Sequence, residues 1–242
     1  METKQERVLI VGAHALDFLW RCGGTIAQYA KNGSEVKIID LTYGDRGESN
    51  DVWKQNPGIT HDEVRQIRRK EAETTAGMLG ASIEFMEWED HLLEMNRERT
   101  LELSRKMMEF QPTILLTHFT ADPLNYDHPV TANAVLSALR CAQVSGTFPD
   151  LTPCGWVKVF MFEPAQPEFV GFNPNAYVDI TDVVEDKIAA MQSTRAQEYL
   201  ISTYTARAGY RGYLAKRISH DKKVKAAEAF VRFNPWVGKL FC

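Results

Sequence analysis

The stretch Val8-Leu9-Ile10-Val11-Gly12 constrains the fold more than any other part of the chain. It is apolar and rich in β-branched residues, with no polar alternation. Strands of this kind are buried on both faces, as in a parallel sheet covered by helices. The downstream segments keep that pattern. A helix is predicted over Leu19 to Lys31, ending at Asn32-Gly33, where glycine can take the left-handed conformation that closes a helix. A strand is predicted over Val36 to Leu41, a helix over His61 to Leu79, a strand over Ser82 to Phe85 and a helix over Arg97 to Phe110. Strand Thr113 to Thr117, helix Pro129 to Ala142 and strand Val157 to Phe162 continue the series. This βαβα order predicts an α/β fold: a Rossmann-like, mostly parallel sheet with helices on both faces and right-handed crossovers. From Asp179 onward the pattern reads as mostly helical, with helices over Thr181 to Leu200 and Asp221 to Phe230 flanking a polar stretch. No repeat or Pro/Ser-rich linker marks a boundary. Residues 1–242 are therefore expected to form one domain with a helical C-terminal extension from about residue 180.

Composition excludes several classes. With 44% hydrophobic and 25% charged residues the chain is ordinary globular material, not a disordered one. A net charge of −4 speaks against a nucleic-acid partner. Cys22, Cys141, Cys154 and Cys242 are scattered and form no CxxC pair, so neither a disulfide framework nor a thiolate zinc site is expected. No apolar run approaches the roughly 20 residues that span a bilayer. The run Val8 to Trp20 is broken by His14 and Asp17 and lacks a small-residue cleavage site, so it does not read as a signal peptide. A cytoplasmic protein without a membrane partner is expected, and a homo-oligomer is the expected assembly.

Ligands of open α/β sheets bind at the carboxyl ends of the strands. Three predicted strands leave those ends with metal-capable residues: His14 and Asp17 after the first, Gly44-Asp45-Arg46-Gly47-Glu48-Ser49 after the second, and His118, Asp122 and Asn125-Tyr126-Asp127-His128 after the fourth. The loops Tyr43 to Thr60 and His118 to Asp127 are long, as functional loops often are. Two imidazoles and a carboxylate with an open position suit zinc or a similar divalent metal. The plainer alternative is that His14 hydrogen-bonds at the strand end and Asp17 caps a helix starting at Phe18.

Several segments carry a family resemblance: Val11-Gly12-Ala13-His14-Ala15-Leu16-Asp17, Gly23-Gly24-Thr25-Ile26-Ala27, Gly47-Glu48, Arg68-Arg69-Lys70-Glu71 and Asp127-His128. With these, the chain resembles the PIG-L, N-acetylglucosaminyl deacetylase-like, family of metal enzymes. The resemblance implies that His14, Asp17 and His128 hold a divalent metal, zinc being the one expected. It places Asp127 beside the last ligand, where it orients or charge-tunes the site. The departures are informative. The aspartate that serves the family's deacetylases as general base falls on Leu16, their proline on Ala15, and an oxyanion-stabilising histidine on Asn125. Leucine accepts no proton.

A narrower resemblance runs through Phe18-x-Trp20-Arg21, Gly44-Asp45-Arg46-Gly47-Glu48-Ser49, Asn125-Tyr126-Asp127-His128-Pro129 and Phe162-Glu163-Pro164-x-Gln166-Pro167-Glu168. It is similar to the branch of the family whose members add water to 4-oxalomesaconate-like unsaturated polycarboxylates in aromatic-compound catabolism. A histidine can sit in that branch where this chain has Ala165. The expected activity is therefore a metal-dependent hydratase. A zinc-dependent deacetylase of an N-acetylated sugar or small amide is the alternative, and a silent binding protein is a third reading. Aspartate at position 16 would be expected to return trace amide hydrolysis.

For hydration, Glu48 is the expected acid/base, with the competing role of a loop carboxylate paired to Arg46. Asp127 is a further catalytic candidate, and Tyr126 and His118 are weaker acid candidates; His118 can equally be a hydrogen-bonding neighbour of the ligands. A small polycarboxylate substrate calls for Arg21 and Arg46, with Asn125 and Tyr126 beside them. Arg195 is a further candidate, and Arg68 is one unless it pairs with Glu71 along its helix. Phe18 and Trp20 read as core aromatics. The basic residues Arg211, Lys216, Lys222, Lys223 and Lys225 read as a solvated face.

Overall fold

A computed structural model describes residues 5–235 and Val237. Strand β1 spans Arg7–His14, helix α1 Asp17–Lys31 and strand β2 Glu35–Thr42. A short helix α2, Asn50–Gln55, precedes α3, His61–Met78, and β3, Ser82–Trp88. Then come α4, Arg97–Phe110, β4, Ile114–His118, α5, Asp127–Ala142, and β5, Lys158–Phe162. The chain closes with β6, Ala176–Asp179, α6, Val184–Gln192, α7, Leu200–Ser219, and β7, Ala227–Arg232. The seven strands form one sheet in the order β3-β2-β1-β4-β5-β7-β6. β1 to β5 pair in parallel, and β7 runs antiparallel to both β5 and β6.

The unbroken apolar run of β1 is explained by its place. Val8 and Ile10 enter the cluster under α1, α3, α6 and α7, while Leu9 and Val11 enter the cluster under α4 and α5. The mostly parallel, two-faced α/β expectation holds. Two C-terminal assignments do not. The segment read as helix Asp221 to Phe230 contains strand β7, and the stretch read as polar is α7, the longest helix described. Alanine-rich Ala226-Ala227-Glu228-Ala229 favours helix locally, but the edge of β5 and the facing β6 supply hydrogen-bond partners that only a strand can use. The predicted helix Thr181 to Leu200 shortens to α6. Cys242 lies outside the described residues. No helix among those described is long and apolar enough to cross a membrane.

α1 is broken inside. Cys22 has φ −145°, so a short first helix carrying Asp17 and Arg21 meets a second helix at an angle. Gly24 stands at the start of the second piece, where a Cβ would lie 2.6 Å from Ile180 Cδ1.

Candidate metal centre and active site

The carboxyl ends of β1, β2 and β4 converge as the sheet topology requires, since β1 lies between the other two. His14 ends β1, and Asp17 opens α1 across a turn in which Leu16 takes φ +76°. His128 sits in the first turn of α5, which begins two residues before its predicted start. One ligand atom from each of these three residues lies within 4.8 Å of the others, and all three side chains are buried. Asp17 is not a helix cap; it makes no side-chain capping bond and instead accepts the backbone N–H of His14 at 2.8 Å.

The hydrogen bonding of these residues is what a bound cation needs. His14 Nδ1 and His128 Nε2 are buried without a hydrogen-bond partner. They stand 3.3 and 3.6 Å from the two Asp17 oxygens. Buried polar atoms are rarely left so. The opposite ring nitrogens are held by carboxylates: His14 Nε2 by Asp127 Oδ2 at 3.1 Å and His128 Nδ1 by Asp122 Oδ2 at 2.8 Å. That arrangement fixes the tautomer and rotation of a ligating imidazole. The two histidines, Asp17 and these outer carboxylates fit a divalent metal with nitrogen and oxygen ligands.

Asp127 is held in turn. Its carboxylate accepts the backbone N–H groups of His91, Leu92 and Leu93 at 2.8, 3.1 and 2.8 Å. His91 and Leu92 both adopt left-handed φ, +61° and +79°, and their consecutive N–H groups form a concave anion nest. Burial alone would raise the pKa of Asp127, but the bond to His14 and the backbone donors hold it down at about 2.

His118 lies beneath this layer. It is buried, stacks on His128 at a centroid distance of 4.1 Å, and accepts the backbone N–H of Ala13 at 3.0 Å through Nε2. Burial, then the neighbouring His128, push its pKa down to about 3. A neutral imidazole whose Nε2 already accepts a hydrogen bond has no proton there to give. The same Nε2 lies 3.2 Å from Asp17 Oδ2, and His118 is not among the residues lining the cavity, so the structure places it as the neighbour of the ligands.

Glu48 stands over the site on the loop after β2. Gly44 brings it there: with φ +65°, a Cβ at this position would lie 3.0 Å from Glu48 Cβ and 3.1 Å from His14 Cβ. Arg46 is not its partner. The Arg46 guanidinium sits 3.3 Å from Glu89 and donates to the Asp90 carbonyl, and Arg46 is not among the residues that line the cavity over the site. Glu48 instead accepts Asn125 Nδ2 at 2.7 Å and Gln197 Nε2 at 2.9 Å, one on each oxygen. Both amides have fixed orientations. Gln197 Oε1 accepts Trp20 Nε1 at 3.1 Å and Arg68 Nη2 at 3.2 Å, and Asn125 Oδ1 accepts the Asp127 N–H at 3.0 Å. Those partners can only donate. The amide nitrogens must therefore face Glu48, and both Glu48 oxygens must accept, as an ionised carboxylate does.

A cavity of about 280 Å³ opens here, walled by His14, Glu48, His91, Asn125, Tyr126 and Asp127 among others. Arg21 is buried below it, donating to the Glu163 carbonyl at 2.9 Å and lying 3.4 Å from His128 Nδ1. Arg68 is fully buried: it braces Ala15, Tyr43 and Gln197, and its Nη1 lies 3.6 Å from Glu71 Oε2, the helix pairing considered from the sequence, here buried and not on the surface. Phe18 and Trp20 are core, as expected. Arg195 is exposed and engages Glu71 through its backbone N–H. Arg211 is not a solvated charge; it clasps Glu163 with two hydrogen bonds of 2.8 and 2.6 Å. Sequence reasoning missed Gln197, His91 and the hold of Asp122 on His128. Only Asp122 carried a signal, its place in the loop before α5.

Known proteins share this fold over most of its length. Residues 9–139 match the PIG-L family model, described as GlcNAc-PI de-N-acetylase. A Pseudomonas putida protein named 4-oxalmesaconate hydratase is 38% identical over 98% of this chain and 93% of its own. The crystal structure of the 4-carboxy-2-hydroxymuconate hydratase from Pseudomonas putida superposes with a TM-score of 0.94 at 35% identity, covering 98% of this chain and all of that one. The N,N'-diacetylchitobiose deacetylase from Pyrococcus horikoshii shares the fold at a TM-score of 0.78 and 24% identity, over 94% of this chain and 83% of that one. The family match spans the strand-end loops that carry His14, Asp17 and His128, and the chain belongs to the PIG-L family.

Proposed function

We propose that this chain is a metal-dependent hydratase that adds water to a carbon–carbon double bond of an unsaturated oxo or hydroxy polycarboxylate, 4-oxalomesaconate-like, in aromatic-compound catabolism. It acts in the cytoplasm. The observation that carries the reading is the pairing of Leu16 with Glu48: the turn between the ligands offers a buried leucine, while a carboxylate held by two amides stands at the cavity wall. The 38% identity to a hydratase over nearly the whole chain supports it.

His14, Asp17 and His128 would hold zinc. When bound, the ion supplies Lewis-acid polarisation of an oxo or hydroxy oxygen next to the double bond. Glu48 accepts the proton of the attacking water, worth roughly 10²–10⁴-fold for a placed base. Asn125 and Gln197 fix the rotation of that carboxylate. Asp127 and Asp122 keep the ligand histidines in one tautomer. Asn125 and Tyr126 line the wall against which the substrate lies.

The retained ligand set also suits a deacetylase of N-acetylated sugars or small amides. A panel assay of the zinc-loaded protein separates the two. Water addition to an unsaturated oxo-tricarboxylate, with no acetate released from N-acetyl sugars, is expected. Acetate release without hydration would reverse the choice.

A further inference from the structure

Resting on the hydratase reading, the geometry points to His91 as the proton donor of the reaction, lining the same cavity as Glu48. Hydration needs two proton transfers. As the water oxygen bonds to one alkene carbon, its O–H bond breaks and the proton passes to Glu48. The π electrons move to the neighbouring carbon, which must then take a proton. Glu48 is the group that takes the water proton, and each of its oxygens accepts an amide N–H, from Asn125 and from Gln197, so the second proton calls for another group. His118 cannot give it, being buried beneath the ligands. His14 is committed to Asp127.

His91 remains. It lines the same cavity as Glu48, and its Nδ1 lies 3.6 Å from where a Cβ on Gly47 would be, beside the catalytic loop. Among the described residues its imidazole has no hydrogen-bond or ion-pair partner; its only bond is the backbone N–H given to Asp127. That bond also explains a left-handed backbone, φ +61°, at a residue with a full side chain. Residues other than glycine are uncommon in this region, and such strain clusters at functional sites. The nest around Asp127 thus does two things at once: it steadies the carboxylate behind His14 and sets the His91 ring at the cavity. The imidazolium N–H bond breaks as the C–H bond forms. His91 and Glu48 then exchange their protons with solvent, closing the cycle.

The test uses the zinc-loaded enzyme and an unsaturated oxo-tricarboxylate. His91→Asn keeps a residue that tolerates left-handed φ but cannot donate the proton. Its kcat should fall about 10²-fold, the usual loss for an acid–base group, with KM within about threefold and metal content unchanged. Activity of His91→Gly should return in part with added imidazole, and that of Glu48→Gln should not. A His91→Asn enzyme with normal kcat, or one altered in KM alone, overturns the assignment, as does loss confined to Tyr126→Phe. Failure of the wild-type enzyme to hydrate the substrate overturns the hydratase reading and this inference with it.

Discussion

Asp127 Oδ2 and His14 Nε2 meet at 3.1 Å while three backbone N–H groups grip the same carboxylate. Asp122 does the matching service for His128 from six residues upstream. These contacts make the orientation of both imidazoles a property of the fold itself. Asp127→Asn and Asp122→Asn should each weaken zinc binding by about 10–100-fold, the usual cost of losing such a partner. His14→Ala and Asp17→Ala should lose the metal outright. Chelator competition and elemental analysis read both effects. Unchanged affinity in Asp127→Asn would show that the nest, and not the carboxylate, sets the site.

Gln197 is the anchor of Glu48. Glu48→Gln should lower kcat by about 10²-fold or more at constant metal content. Gln197→Leu removes one of the two amides that orient the carboxylate and leaves Trp20 Nε1 and Arg68 Nη2 without their shared acceptor. It should lower kcat as well, by about tenfold, since Asn125 still holds one oxygen. Gln197→Glu brings a second carboxylate against Glu48 and should be the worse of the two. Steady-state kinetics on zinc-loaded protein would check the ranking.

Why Glu48 was legible and Gln197 was not has a physical answer. Glu48, His14, Asp17 and His128 lie within a few residues of strand or helix ends, and the alternation of elements already puts those ends on one edge of the sheet. Gln197 reaches Glu48 across 149 residues of sequence. Nothing local marks it, because its role comes from where α6 and α7 settle on the sheet. The same holds for His91, whose backbone is fixed by a bond to a carboxylate 36 residues ahead. Local propensity also misread β7, where strand pairing outweighed an alanine-rich segment. The arginines were legible only as charges, because their partners are set by the fold. Their charge fitted a polyanionic substrate, but Arg21 and Arg68 are consumed by internal carbonyls and carboxylates.

The break in α1 is held by a buried ion pair. Glu228 accepts the N–H groups of Gly24 and Thr25 at 2.9 and 2.7 Å, and Lys187 Nζ bridges Glu228 at 2.6 Å and the Trp20 carbonyl at 2.9 Å. One pair thus satisfies free groups on both sides of the kink. Removing one partner strands a buried charge. Lys187→Met should destabilise the protein by about 3–5 kcal/mol. Lys187→Met with Glu228→Gln should recover part of that. Urea unfolding of the single and double variants tests the coupling.

Cys154 is buried and its Sγ sits 3.3 Å from the Met107 carbonyl. Burial pushes its thiol pKa up to about 11. The folded state therefore retains the proton above the ordinary thiol range near 8.5, and the thiolate is scarce at pH 8. Alkylation at pH 8 should be roughly 100-fold slower in the native protein than after denaturation. Reactivity should rise as pH climbs toward 11. Peptide mapping after a timed iodoacetamide pulse would measure it; equal rates in both states would contradict the burial argument.

In the proposed hydratase Leu16 stands where a deacetylase would carry its base, and the structure changes what its replacement should do. The residue is fully buried and belongs to the apolar cluster with Ile10, Phe18 and Leu19, at a turn with φ +76°. The backbone there is one aspartate tolerates better than leucine does. The side chain, however, would bring a carboxyl into apolar surroundings, which costs about 1–3 kcal/mol without a partner. Leu16→Asp should therefore lower the melting temperature. Any amide hydrolysis it gains should be no more than a trace, and the wild-type protein should show none on N-acetyl sugars. Hydration should suffer in Leu16→Asp as the turn between His14 and Asp17 shifts. Acetate release and melting temperature measured on the same preparation would check both parts. A stable Leu16→Asp protein with robust deacetylation would mean that one side chain separates the two chemistries and that Glu48 is not specialised for water addition.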